Sequence, residues 1–377
     1  MTEKYKAKKG LEGIIFDSTA VSQVLPEKKS LYYRGYPVSD LAKNCQFEEV
    51  AWLLLYGELP TKAQLDEFSQ QERKSRNISD DLIEVLRRFP KNGHPMDALR
   101  TGISFLGMEE EFSGADTSES AIKKGISLMA KIPTLIAMFE RIRKGQDLIL
   151  PREDLSFSEN FFHICQGKVP EANVIEAFDG SLTLYAEHGF NASTFSARVI
   201  VSTLSDLCGA VSGAIAALKG SLHGGANEAV MHLLNEIGEP ENALPWLEDA
   251  LANKKKIMGF GHRLYRLGDS RVPTMSEYRD SLAETCGGEK WLEISKVLET
   301  EMTGRKKIYP NLDFPAGPAY HMMGFEIDLF TPIFVMSRVI GWTAHVAEQL
   351  SDNRLVRPLA EYVGPTPRSV VPVSERT

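Results

Sequence analysis

Cysteine is scarce in this chain, with four among 377 residues. Cys45, Cys165, Cys208 and Cys286 stand far apart and show no C-x-x-C spacing, so neither a disulfide framework nor a cysteine zinc site is indicated. Reduced thiols fit a cytoplasmic home. Positive charge is short as well: the formal net charge is -8 and the pI about 5.6, which argues against a general nucleic-acid binder. Long uninterrupted apolar runs are missing. The N-terminus "MTEKYKAKKG" is charged and lacks the apolar stretch of a signal peptide, and the most apolar later segment, "FTPIFVMSRVIGWTAHVAEQL", holds Arg338 and His345. No membrane span is expected. There is no H-E-x-x-H, no G-x-x-x-x-G-K-[ST], and "GFGHRL" has G-x-G without a third glycine or a preceding strand pattern. Metal-hydrolase, P-loop and Rossmann readings fall away together, and no metal site is expected.

What is present reads as an ordinary globular composition, 43% hydrophobic and 25% charged. At this length a large domain plus a smaller one is expected, and two domains imply a cleft. Residues 11 to 38 mix β-branched and aromatic residues with Gly and Pro, which predicts one or two short strands or a hairpin. After that, helical spacing dominates. "FEEVAWLLLYGELP" opens with acids and stops at Gly57 and Pro60, and "KAQLDEFSQQERKS" and "DDLIEVLRRF" repeat the logic. No series of strands alternates with helices, which excludes a doubly wound α/β fold. Residues 198 to 219 predict one helix apolar nearly all round and rich in small residues, suited to close packing. Residues 331 to 350 predict another, with Arg338 among Ile333, Phe334, Val335, Val339, Ile340 and Trp342. A guanidinium there is buried and must be paired, with a protein carboxylate or with a ligand's.

The polar stretch "GFGHRLYRLGDSRVP" has no apolar periodicity. Gly259 and Gly261 let its backbone pass close to something, while "KKK" at 254–256 offers charge that is either a solvated face or phosphate-facing, as does "RKK" at 305–307. His262 lies in this stretch, and His188 in "YAEHGFNAST" and His223 in "GSLHGGANEAV" occupy comparable glycine-bearing segments. One such histidine is ordinarily structural, whereas three point to a shared site. Asp313, in "NLDFPAGP", is either a turn former or a poorly solvated carboxylate with a raised pKa, hence a stronger base. Arg271, Arg338 and Arg357 bracket these loops, and guanidinium forks match carboxylates bidentately, so a small di- or tri-anionic acid is the implied partner.

These residues together resemble the citrate synthase family, including the 2-methylcitrate synthases, over nearly the whole chain. "SLYYRGYPVSDLA" and "LLLYGELP" look like the family's N-terminal segments, and the loop at 259 resembles its signature, G-[aromatic]-G-H-x-[Ile/Val]-x-x-[Arg/Lys] followed by D-[Pro/Ser]-R. Leu264 replaces the usual Ile or Val, and Ser221 stands where Pro often precedes Leu-His, both conservative for shape. The resemblance implies an all-α, mainly helical, two-domain homodimer with a short N-terminal β hairpin. Residues 1–223 and 319–377 would form the large domain and 224–318 a small domain closing over the active site.

By the same resemblance, Asp313 would take a proton from the carbon beside an acyl-CoA carbonyl, and His223 would donate a hydrogen bond to that oxygen. Oxaloacetate would be held by Arg271, Arg338 and Arg357 and polarised by His262 with help from His188. The backbone from Lys256 through Ile257, Met258 and Gly259 to Phe260 would contact coenzyme A, and Arg73 is a weaker carry-over toward a substrate carboxylate. No permanently bound cofactor is implied beyond the CoA thioester used as co-substrate. The segments around Asp313 and Arg338 look slightly more like the 2-methylcitrate branch, which uses propionyl-CoA, with a dedicated citrate synthase of the tricarboxylic acid cycle as the alternative. A non-catalytic dicarboxylate or CoA sensor on the same scaffold would need the arginines but neither Asp313 nor His223.

Overall fold

The computed structural model of the protein describes residues 7–262, 264, 265 and 268–376. Arg263, Arg266 and Leu267 of the polar loop lie outside the described residues, as do 1–6 and 377 at the ends of the expected large domain. Three short antiparallel strands, β1 (Ser22–Leu25), β2 (Ser30–Tyr33) and β3 (Tyr36–Pro37), form a sheet in sequence order, with Ser22 opposite Tyr33 and Tyr32 opposite Pro37. The expected hairpin is there with one further short strand.

Helices make up the rest of the regular structure among the described residues. They are α1 (Val38–Asn44), α2 (Phe47–Tyr56), α3 (Lys62–Lys74), α4 (Asp80–Arg88), α5 (Pro95–Leu106), α6 (Ser118–Lys144), α7 (Phe157–Gln166) and α8 (Ala172–Tyr185). There follow α9 (Ala192–Val201), α10 (Leu207–Leu218), α11 (Ala226–Ile237), α12 (Ala243–Ala252), α13 (Val272–Cys286), α14 (Glu289–Glu301), α15 (Asp313–Met322) and α16 (Phe330–Ser351). Local chemistry sets their ends. The Glu49 carboxylate accepts the Gln46 N–H at 2.9 Å to open α2, and Gly57, at φ 96°, closes it in the left-handed region.

The long helices α6 and α16 lie side by side at the centre, and α9 and α10 pair beside them. Small residues permit this closeness: a Cβ on Gly125 would sit 2.1 Å from the Thr343 methyl, and one on Gly213 2.2 Å from Ile200. The apolar length of α16 is therefore spent on the core, against α2, α6, α8 and α9. A second set, α11 to α15, packs mainly within itself, with α15 against both α11 and α13.

One expectation is corrected. Residues 198 to 219 are two helices: Leu204 adopts φ 65° between them, and the Asp206 carboxylate accepts the Gly209 N–H at 2.7 Å to start α10 anew. A side chain that caps a new helix competes with continuing the old one. Apolar periodicity carries no trace of that competition.

Candidate active site

Five segments converge: the end of α8 with the turn after it, the start of α9, the turn between α10 and α11, the loop from 257 to 271, and the start of α15. Helix α16 closes the group from behind. Each histidine sits on a turn, and a hydrogen-bond partner fixes each ring. His262 Nδ1 accepts the N–H groups of Leu264 (3.1 Å) and Tyr265 (3.2 Å), which leaves its proton on Nε2. The Ser193 N–H donates to His223 Nε2 at 3.2 Å, with the Ser193 hydroxyl 2.9 Å away; an accepting Nε2 leaves that proton on Nδ1. Ser193 is itself fixed, since its hydroxyl donates to Asn191 Oδ1 (2.7 Å) and accepts the Trp342 indole N–H (3.1 Å). His188 Nε2 lies 3.3 Å from the Tyr265 hydroxyl, and its ring is 5.2 Å from that of His262.

These imidazoles are neutral at neutral pH. Burial pulls both His223 and His262 down to about 4, and neighbouring positive charge, from Arg338 and Arg271 respectively, adds to it. His188 is held well below its ordinary value by burial and by Arg271, His262 and Arg338. A neutral N–H in a dry site is a donor matched to a weakly basic carbonyl oxygen.

Asp313 opens α15. Its Oδ1 accepts the Tyr185 hydroxyl at 2.8 Å, and its backbone N–H donates to Asn311 Oδ1 at 3.1 Å. Asn311 also donates to the Gly261 carbonyl at 2.9 Å, so one side chain joins the Asp313 turn to the His262 loop. Burial pushes Asp313 up to about 6, opposed by the Tyr185 hydrogen bond and by the charges of Arg271 and Arg338. The carboxylate is then ionised at neutral pH yet more basic than an exposed aspartate.

The two guanidinium groups differ. Arg271 is bidentate to Asp269, Nε at 3.0 Å and Nη2 at 2.7 Å, and Asp269 also accepts the Leu312 N–H (3.3 Å), tying this loop to the turn before Asp313. Arg338 is 1% exposed, donates Nε to the Tyr185 carbonyl at 2.7 Å and rests 4.7 Å from the Phe334 ring centre. Among the described residues it makes no ion pair, and burial brings it down to about 10 despite the nearby charge of Glu187. Of the two partners the sequence left open, no carboxylate among the described residues forms an ion pair with it. Desolvating a cation this far without an anion is costly, so the geometry suits an anionic ligand.

The loop leading into His262 is strapped down. Gly261 N–H donates to Tyr309 O at 2.8 Å, Asn311 N–H to Gly259 O at 2.9 Å, and the Phe260 and Phe314 rings lie 4.5 Å apart. Gly259 has φ 81°, and a Cβ there would meet Val230 at 2.6 Å and Phe314 at 2.8 Å, so glycine is required twice over. Lys256 is exposed, Ile257 and Phe260 are buried, and Met258 is half-buried, so the segment runs from surface to site in five residues.

The structure does not bring every expected residue here. Arg357 is exposed in the extended stretch after α16; the N–H of its neighbour Val356 donates to the hydroxyl of Ser202, the residue that caps the C-terminal end of α9, itself about 13 Å from Ser193 by helix rise. Within this chain it stands apart from Arg271 and Arg338. Arg73 donates to the Glu153 carbonyl at 3.4 Å beside a surface groove lined with Lys62, Asp66 and Gln70, and no hydrogen bond or ion pair among the described residues links it to the histidines. Of the lysine clusters, Lys255 pairs with Glu236 and Arg305 with Glu248, which is the solvated-face reading. Residues missed by sequence reasoning are Tyr185, Ser193, Asn311 and Tyr265; the only signal was that each flanks a residue already singled out.

The family model described as "Citrate synthase, C-terminal domain" matches residues 10–359. A 2-methylcitrate synthase of Mycobacterium tuberculosis is 54% identical, covering 96% of this chain and 92% of that one. A citrate synthase of Mycolicibacterium smegmatis is 53% identical, covering 98% of each. Among solved structures, the ternary complex of carboxymethyl coenzyme A and oxaloacetate with citrate synthase from Thermoplasma acidophilum superposes with TM-score 0.93 at 33% identity, covering 98% of this chain and all of that one. The fold and these matches define an acyltransferase of the mainly helical citrate synthase type. The chain belongs to the citrate synthase family, whose members condense an acyl-CoA with oxaloacetate.

Proposed function

We propose that this protein condenses propionyl-CoA, acetyl-CoA or both with oxaloacetate and water, releasing 2-methylcitrate or citrate and free coenzyme A. The observation that carries the reading is Arg338, a buried guanidinium with no ion pair among the described residues, whose charge is felt by a half-buried carboxyl and by neutral imidazoles. Oxaloacetate's carboxylates match Arg338 and the free edge of Arg271. His262, donating through Nε2 with His188 beside it, polarises the ketone. Asp313 takes the proton from the carbon next to the thioester carbonyl, while the Nδ1 proton of His223 steadies the oxygen as charge develops. The new carbon–carbon bond forms between that carbon and the ketone carbon, and hydrolysis of the resulting thioester releases the thiol.

The backbone of Lys256–Phe260, directly upstream of His262, is the coenzyme A contact in this reading. Residues 1–223 with 319–377 act as the large domain and 224–318 as the small one. Domain closure excludes water during proton transfer, so oxaloacetate binds first. Arg357 is exposed in the stretch after α16, next to Val356, which is tied to Ser202, and a homodimer in which Arg357 of a second copy completes the site accounts for its position. Cytoplasmic location is the matching reading for four unpaired thiols.

Propionyl-CoA is the favoured thioester, supported by the 2-methylcitrate synthases among the relatives at 54% and 50% identity. The relative named citrate synthase, at 53%, supports the acetyl alternative. One methyl group is worth only about 1–3 kcal/mol in a pocket, so both thioesters should react. Thiol release with oxaloacetate is the test, comparing kcat/KM for the two thioesters. No thiol from either would overturn the proposal, as would an Asp313→Ala variant that turns over at the wild-type rate; the expected loss is about 1000-fold.

A further inference from the structure

The turn that carries His223 is held at both ends by the first turn of α5. Before it, the Lys219 ammonium donates to Asp97 at 2.5 Å. After it, Glu228 reaches back: its Oε2 accepts from Nε2 of His94, the N-cap residue of α5, at 3.2 Å. The Met96 N–H occupies His94 Nδ1 at 3.1 Å, which leaves the His94 proton on Nε2 and aimed at Glu228. The other oxygen of Glu228 accepts both the backbone N–H (3.3 Å) and the hydroxyl of Thr331, in the first turn of α16. One carboxylate, its side chain 15% exposed, thus joins α11 to the N-termini of α5 and α16, where helix dipoles favour negative charge.

Position along the chain gives this joint its meaning. Glu228 lies five residues after His223, and Thr331 lies two helical turns before Arg338 on the same face of α16. We infer that Glu228 is a positioning residue, a latch that fixes the His223 turn against the helix carrying Arg338. The inference rests on the condensation described above, and on the boundary at 224 that puts Glu228 in the small domain and His94 and Thr331 in the large one. The condensation proposed above gives neither Glu228 nor Thr331 a contact with substrate; both bond to protein. Their effect is on where the His223 proton points, and a misplacement of about 1 Å can cost on the order of 100-fold in rate.

The test is a double-variant cycle on Glu228→Gln and Thr331→Val, read in kcat and in KM for oxaloacetate, with thermal unfolding of each protein as control. Each single variant should lose roughly tenfold in kcat while KM for oxaloacetate changes less than twofold. The double variant should be no worse than the poorer single one, because both break the same joint. Additive losses, or losses that follow Tm with KM and kcat moving together, would overturn the latch. Amide hydrogen exchange across 219–228 supplies a readout independent of turnover: it should quicken in Glu228→Gln even if the wild type releases no thiol, and unchanged exchange there counts against the inference.

Discussion

Two arginines, each 1% exposed, show what separates scaffold from site in this molecule. Arg76 is satisfied on every side: Nε and Nη2 go to Glu72 at 2.9 and 2.7 Å, and Nη1 to the carbonyls of Arg152 and Leu155 at 2.6 and 3.0 Å. It knits α3 to the segment before α7. Arg338 has, among the described residues, one carbonyl and an aromatic face. Burial alone therefore says little about role, and the account of partners says much more, because a fold retains an under-paired buried charge only where something else uses it.

The largest expected effect breaks that comparison directly. Arg338→Met should lower kcat/KM for oxaloacetate by about 100-fold or more while Tm holds or rises, since an unpaired buried charge is removed. Arg76→Met should do the reverse. It strands Glu72 in the interior, costing about 3–5 kcal/mol of stability, with kcat unchanged in the fraction that folds. Urea unfolding and steady-state rates on both variants measure this, and equal effects on activity would erase the distinction between the two sites.

A smaller effect sharpens the same contrast through pH. Folded His223 and His262 sit at about 4, against roughly 6.5 unfolded. Between those values the unfolded chain binds protons that the folded histidines refuse, so the stability these two groups contribute is full above about 6.5 and falls as pH drops toward 4, by up to ~1.4 kcal/mol per unit for each group, while Asp313, raised to about 6, contributes with the opposite sign. The junction at Arg76 contributes nothing of that sign, because burial raises Glu72 above its ordinary value despite Arg76. Unfolding free energy measured from pH 7 to 4 should show a slope that flattens in a His223→Asn, His262→Asn double variant and persists in Arg76→Met. A slope unaltered by removing both imidazoles would place the acid sensitivity elsewhere.

The contrast also explains what could be read from the sequence. His188, His223, His262 and Asp313 stood out because each breaks helical periodicity in a glycine- or proline-bearing turn, and the structure gathers all four with Arg271 and Arg338. Arg357 was grouped with Arg338 as a guanidinium that could match a carboxylate, but the chain's path after α16 ties its neighbours to Ser202 at the end of α9, and residue type encodes no path. Arg73, three residues from Arg76, is not gathered with the histidines and Asp313 and bonds a carbonyl instead; a guanidinium on a helix looks alike whether it meets a carbonyl or a ligand. The break between α9 and α10 and the Tyr185 hydroxyl were hidden for a related reason. A capping aspartate and a core-facing tyrosine acquire their roles only from what tertiary packing sets opposite them.

Tyr185 gives the smallest and most discriminating effect. Its ring is buried against Phe334 at 4.3 Å, so Tyr185→Phe keeps the packing and removes only the hydroxyl that donates to Asp313. That hydrogen bond favours the ionised carboxylate, and burial opposes it, the balance standing at about 6. Deleting the donor must move the Asp313 pKa upward. In the free enzyme, kcat/KM should rise with pH through about 6 as the base ionises, and this acidic limb should shift to higher pH in the variant, with only a few-fold loss at the alkaline plateau. A tyrosine that served packing alone would leave the limb in place, and a limb that failed to move would remove Asp313 from the role of the base whose ionisation the profile records.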